Sequence, residues 1–256
     1  MRRILTVTAA LLLVLSCALS AAETPEMYEG MNVEEIVYGE LTGHYGEEKE
    51  YALDLVTPLE GEGPYPVAFF LHGGGFSSEN DKRQAYIPRF AKELTDAGWA
   101  MVSPDYPVYN NRQDSAGNYT PGAILAAEAV QLAYEYLEEN AEELGLDMSR
   151  VVLLGGSAGG MAGFYAVAAH PEQYKAFINL WGAPEDVPDL SSFPPTLSVH
   201  GTADATVPFE RELGIQDELE SYGIRHDLVV LEGAGHTPIG QMSIYMPVVF
   251  EYLGSI

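Results

Sequence analysis

Residues 151–160 read Val-Val-Leu-Leu-Gly-Gly-Ser-Ala-Gly-Gly, and this stretch decides the fold. A short apolar run of strand-favouring residues meets glycines on both sides of a single serine. The spacing Gly155-Gly156-Ser157-Ala158-Gly159 is what a chain needs to turn from a buried strand straight into a helix. Side chains two positions before and two positions after the serine would collide across so tight a bend. The bend lifts the Ser157 hydroxyl above the sheet and leaves the Ala158 N–H facing the same space. The positive end of the following helix then favours a developing anion. A dinucleotide-binding loop would need glycine where Ser157 stands, and a nucleoside triphosphate loop would need Gly-Lys-Ser/Thr; neither pattern is present.

A second glycine motif, His72-Gly73-Gly74-Gly75-Phe76, also follows a short apolar run, Pro66–Leu71. Consecutive glycines carry an entropic penalty and are kept where main-chain N–H groups must approach a ligand closely. Gly73 and Gly74 are therefore candidate donors to the oxygen that turns negative when a carbonyl is attacked, with Ala158 as the third. A serine hydroxyl is a weak nucleophile and needs a base, which a carboxylate must orient. Two further stretches supply them: His200-Gly201-Thr202-Ala203-Asp204 and Gly233-Ala234-Gly235-His236-Thr237. Each ends a predicted strand, where sites of parallel sheets assemble. Ser157 is the candidate nucleophile, Asp204 the orienting acid and His236 the general base. Asp105 and Asp186 are rival acids, but neither stands directly before the strand that leads to the histidine. His72 is expected to brace the glycine loop, His200 to support the Asp204 turn and His170 to end a helix. His44 and His226 have no partner that the sequence reveals.

The rest of the chain alternates between strands and helices. Val33–Glu40 and Lys49–Thr57 suit an antiparallel edge pair, closed by a Pro/Gly/Glu turn at Pro58–Pro66. Strands are expected at Pro66–Leu71, Trp99–Ser103, Arg150–Leu154, Ala176–Leu180, Thr196–Val199 and His226–Leu231. Helices are expected at Asp81–Gly98, Ala123–Leu144, Ser157–His170, Pro208–Tyr222 and Ile239–Leu253, with a polar loop from Tyr106 to Gly122. The pattern implies an α/β fold: a mostly parallel central sheet, helices on both faces and an N-terminal antiparallel edge. The acidic run Glu138–Glu143 reads as a solvated helix face.

The chain has 256 residues, with 12 Lys+Arg against 38 Asp+Glu, a formal charge of −26. Such a charge repels phosphate backbones and excludes nucleic acid as a partner. Residues 1–22 place two arginines before an apolar run and end in Ser20-Ala21-Ala22, the order of a secretory signal peptide cleaved after Ala22. Residues 23–256 then form one catalytic domain, secreted or periplasmic, with no membrane span in the mature chain. The apolar run is shorter than the ~20 residues that a bilayer-spanning helix needs. Cys17 is the lone cysteine and leaves with this segment, which excludes a cysteine nucleophile and internal disulfides. In a rival reading, Val14-Leu15-Ser16-Cys17 is a lipoprotein box and Cys17 carries a lipid anchor.

The combination of His72-Gly73-Gly74-Gly75-Phe76, Gly155-Gly156-Ser157-Ala158-Gly159-Gly160 and the chain order Ser157, Asp204, His236 resembles the α/β-hydrolase superfamily. Within it, the motifs are similar to those of hormone-sensitive-lipase-like and feruloyl- or acetyl-esterase-like carboxylesterases, over roughly residues 50–254. The resemblance implies the α/β-hydrolase fold and a serine esterase with a Ser157–His236–Asp204 triad. It also implies an oxyanion hole from Gly73, Gly74 and Ala158, and no cofactor or metal. Where many such esterases carry Asp-Tyr-Arg-Leu, this chain has Asp105-Tyr106-Pro107-Val108.

The stretch Gly182–Pro195 is too short for a large lid, and the loop Val108–Gly122 offers polar walls: Tyr109, Asn110, Asn111, Arg112 and Tyr119. Phe76, Tyr109 and Trp181 are the candidate pocket residues. An open, polar rim fits esters of short acyl chains, with acetyl or feruloyl groups on polysaccharides as expected substrates. The alternatives are a serine peptidase of prolyl-oligopeptidase type, a lipase, or a non-catalytic binding protein on the same fold. The oligomeric state is not legible.

Overall fold

The computed structural model describes residues 26–77, 81–109 and 117–256. Residues 1–25, Cys17 among them, and Asn110, Asn111 and Arg112 of the polar loop lie outside the described residues. The strands are β1 (Asn32–Thr42), β2 (Glu48–Thr57), β3 (Tyr65–Leu71), β4 (Ala100–Pro104), β5 (Leu146–Gly156), β6 (Ala176–Leu180), β7 (Thr196–Gly201) and β8 (His226–Leu231). The helices are α1 (Ile87–Asp96), α2 (Thr120–Glu139), α3 (Ala141–Leu144), α4 (Ala158–Ala169), α5 (Phe209–Tyr222) and α6 (Met242–Leu253).

The strands form one sheet in the order β1-β2-β4-β3-β5-β6-β7-β8. The β1–β2 and β2–β4 pairs are antiparallel and every other pair is parallel. This is an α/β-hydrolase sheet with an antiparallel N-terminal edge. Because side chains alternate across a strand, the central strands feed two separate cores. Val67, Phe69, Val151, Leu153 and Phe177 pack on one face beneath α2, α4 and α5. Ala68, Phe70, Val152, Leu154 and Ile178 pack on the other beneath α1 and α6. Each such Phe, Leu or Val contributes roughly 1.5–3 kcal/mol through burial. Helix α4 lies close to the sheet because it is built of small residues: a Cβ on Gly163 would stand 2.6 Å from Phe177 Cε2.

Three sequence expectations need correction. The helix expected from Asp81 begins only at Ile87, with Pro88 in its first turn. Residues 81–86 are held out of helix because Lys82 and Arg83 are drawn into carboxylates of the sheet edge. Arg83 grips Asp54 through two 2.7 Å bonds. Buried Lys82 meets Glu35 at 2.7 Å and Asp105 at 3.3 Å. The helix expected at Ala123–Leu144 starts earlier, at Thr120 with Pro121 behind it, and breaks at Asn140. β5 extends beyond Arg150–Leu154 in both directions, because a register shift opposite Pro66 and Val67 lets Leu146 and Asp147 pair as well. Among the described residues no helix is long and apolar enough to cross a membrane.

Candidate active site

Ser157 sits between β5 and α4 at φ 56°, ψ −119°, a strained backbone for a residue with a side chain. Its N–H donates to Leu180 O at 2.9 Å, which ties the bend to β6. The flanking glycines are required by contact: a Cβ on Gly155 would lie 2.3 Å from Gly159 O, and one on Gly159 would lie 2.1 Å from Leu71 O. Neither backbone oxygen can yield.

His236 reaches this serine across the sheet top. Its Nε2 is 2.8 Å from Ser157 Oγ and its Nδ1 is 2.7 Å from Asp204 Oδ2. With Nδ1–H donating to the carboxylate, Nε2 is left as an acceptor facing the Ser157 hydroxyl. Asp204 is aimed by its other oxygen, which accepts the N–H groups of Thr206 and Val207 at 2.8 and 2.9 Å. The two loops that carry acid and base are joined directly: Ala203 N–H donates to Ala234 O at 2.9 Å, and Gly233 N–H to Thr202 Oγ1 at 2.8 Å. His200 stands behind the acid. Its Nε2 donates to Val207 O at 2.9 Å and lies 3.4 Å from Asp204 Oδ2. Burial holds the His200 pKa below its usual value.

The loop after β3 brings glycines to the same cleft. Gly74 and Gly75 adopt φ of 105° and 63°. His72 stacks on Tyr106 with ring centres 4.1 Å apart, and its Nδ1 donates to Gly73 O at 2.9 Å. Tyr106 donates its hydroxyl to His72 O, and Gln84 Nε2 donates to Gly73 O at 3.1 Å. His72 therefore lies where a brace of this loop would lie. The expectation for Gly73 changes: its N–H is already committed, donating to the Tyr86 hydroxyl at 2.9 Å. Ala158 lines the cleft, and as the first residue of α4 its N–H has no acceptor within the helix.

The cleft holds about 730 Å³ and is lined, around the triad, by Tyr86, Tyr119, Met161, Glu185, Arg211 and Thr237 among others. The three expected pocket residues do not line it. Phe76 is fully buried and packs on Gly122, where a Cβ would come 2.8 Å from its ring. Trp181 is buried against Tyr245. Tyr109 stacks on His44 at 3.8 Å, away from the serine. Phe76 and Trp181 both have positive φ, 54° and 47°, and both side chains are in the core. Tyr119 is the one described residue of the polar loop's expected wall that reaches the site. Of the rival acids, Asp105 is bound to Lys82 and Asp186 accepts from Thr120 Oγ1 at 2.9 Å. Sequence reasoning missed Tyr86, Gln84, Glu185 and Arg211.

The fold is that of the α/β-hydrolase carboxylesterases. The profile of the BD-FAE family matches residues 53–180, half of the chain, and the chain belongs to that family. A second profile, Phospholipase/Carboxylesterase, matches residues 124–246. Among solved structures, the chain is similar to Thermogutta terrifontis esterase 2 phosphonylated by cyclosarin, with a TM-score of 0.68 and 21% identity, over 89% of this chain and 95% of that one. It is also similar to a truncated carbohydrate esterase from gut microbiota, with a TM-score of 0.68 and 16% identity, over 91% of this chain and 98% of that one. At those identities the likeness is one of fold. Lipase 2 of Moraxella sp. (strain TA144) is 36% identical over 92 residues, which are 36% of this chain and 18% of that protein's length.

Proposed function

We propose that this chain is an exported carboxylesterase that cleaves short-chain acyl esters through an acyl-Ser157 intermediate. The observation that carries the reading is the unbroken relay Ser157 Oγ–His236 Nε2–His236 Nδ1–Asp204 Oδ2, at 2.8 and 2.7 Å. Ser157 Oγ attacks the ester carbonyl while its proton passes to His236 Nε2. Asp204 keeps the imidazole in the accepting tautomer and balances the imidazolium. The oxygen that becomes negative faces the Ala158 N–H and the glycine loop. Collapse of the adduct expels the alcohol, which takes the proton back from His236. A water then repeats the sequence and frees the acid.

The walls support a small acyl group. Among the described residues lining the cleft, the large apolar side chains are Met161 and Val207, beside Tyr86, Tyr119, Thr206, Glu185 and Arg211. A long chain gains roughly 0.8 kcal/mol for each methylene it buries, and two such side chains offer apolar wall for only a short one. The polar rim and the carbohydrate-esterase neighbour favour acetyl or feruloyl groups on polysaccharides. The order of residues 1–22 supports export.

A fluorophosphonate probe is expected to label the wild type and not Ser157→Ala, and p-nitrophenyl acetate is expected to turn over faster than the palmitate ester. Equal labelling of both proteins removes Ser157 as nucleophile. A preference for palmitate points to a lipase, and turnover of a Gly-Pro-anilide without ester turnover points to a peptidase.

A further inference from the structure

Tyr86 occupies a position in the site that the triad does not explain. Its hydroxyl lies at the cleft wall with Ser157 and His236, and it accepts the Gly73 N–H at 2.9 Å. A Cβ built on Gly73 would stand 3.3 Å from the Tyr86 hydroxyl and 3.2 Å from Ser157 Cβ, so hydroxyl and serine flank the same glycine. The hydroxyl oxygen receives a hydrogen bond there, which leaves its own O–H to be donated. Among the described residues nothing accepts that proton. The ring is fixed by edge contacts to Phe70 and Phe90, with centres 6.2 Å away in both cases. The segment before it is pinned by the two Arg83–Asp54 bonds. A polar hydrogen held rigidly beside a nucleophile, with no partner in the resting enzyme, is what stabilisation of a transient negative oxygen requires.

We infer that Tyr86 is a catalytic residue: its O–H, polarised by the Gly73 N–H behind it, donates to the oxyanion in the position expected of the Gly73 amide. The inference rests on Ser157 being the nucleophile. The phenol keeps its proton throughout and only shares it with the oxygen that gains charge as the ester is attacked. Burial supports this, pushing the Tyr86 pKa up to about 12, so the donor stays protonated at neutral pH. Tyr106, which stacks on His72, is likewise pushed upward by burial and stays neutral beside it.

The test combines two variants with the probe. Tyr86→Phe is expected to fold with the wild-type circular dichroism and to label to the same final extent, but to lose about 10²-fold in kcat with little change in KM. Removing the hydroxyl also removes an acceptor from Gly73, so a second measurement separates donor from brace. Incorporation of a fluorinated tyrosine at position 86 lowers the phenol pKa. A donor must then lose activity on the alkaline side as that phenol ionises. A brace must not, because a phenolate accepts the Gly73 N–H at least as well. A fluorotyrosine enzyme that keeps the wild-type alkaline profile, or a Tyr86→Phe enzyme with full kcat, overturns the role of Tyr86 while labelling at Ser157 stands. Absence of both labelling and ester turnover in the wild type overturns the two readings together.

Discussion

Replacing Glu212 by glutamine should flatten the pH dependence of stability. Glu212 lies on the inner face of α5 and is fully buried. Its Oε2 accepts Asn179 Nδ2 at 2.8 Å and its Oε1 accepts Gln216 Nε2 at 2.7 Å. Burial outweighs these bonds and pushes the carboxyl pKa from 4.5 to about 7. Among the described residues, the titratable group set against it from another element is His200, whose Nδ1 lies 3.9 Å from Oε2 and whose own pKa is lowered by burial. The folded carboxyl binds its proton more tightly than the unfolded one. The contribution of Glu212 to stability is therefore complete below about pH 4.5 and is lost as the pH rises through about 7. A gap of that size amounts to about 3 kcal/mol, of which about 2.5 kcal/mol is lost between about pH 5 and about pH 8. Glutamine carries no proton to lose, and the Gln216 amide can turn to accept from its new NH₂. Urea unfolding of both proteins at the two pH values measures the effect. The variant should gain about 2.5 kcal/mol relative to wild type on going from the lower to the higher pH. A difference between the two proteins that is the same at both values refutes the reasoning.

Asp204→Asn should keep its melting temperature yet lose up to about 10⁴-fold in turnover of p-nitrophenyl acetate, because the amide stabilises the wrong tautomer of His236. Unimpaired turnover would remove Asp204 from the relay. Lys82→Met leaves Asp105 and Glu35 without their buried cation. It should destabilise the fold by about 3 kcal/mol in denaturant titration. Kcat should fall with it, since residues 82–86 carry Gln84 and Tyr86 to the glycine loop.

The sheet was legible because its strands are apolar runs with glycines at their ends, and both cores follow from simple alternation. The serine turn was legible for a local reason: Gly155 and Gly159 meet backbone oxygens, a constraint written within five residues. The candidate base and acid could be named by chain order, although the meeting of His236 and Asp204 at 2.7 Å depends on the whole sheet. The pocket was not legible. Phe76 and Trp181 look like wall residues, but both are buried in the core, and nothing in the local composition reports that. Residues 81–86 looked helical by composition. Ion pairs to Asp54 and Glu35, distant in sequence, override that propensity and deliver Tyr86 to the cleft.

β8 closes the sheet on one side and has β7 as its single neighbour, while β5 runs between β3 and β6. Most of β8 is only half covered. The imidazole thus rides on the outermost ribbon and the hydroxyl on an interior one. A brief parting of that ribbon disconnects the proton shuttle while the molecule's middle stays intact. Thermal inactivation is therefore expected to have a reversible early stage, in which the machinery idles before anything melts.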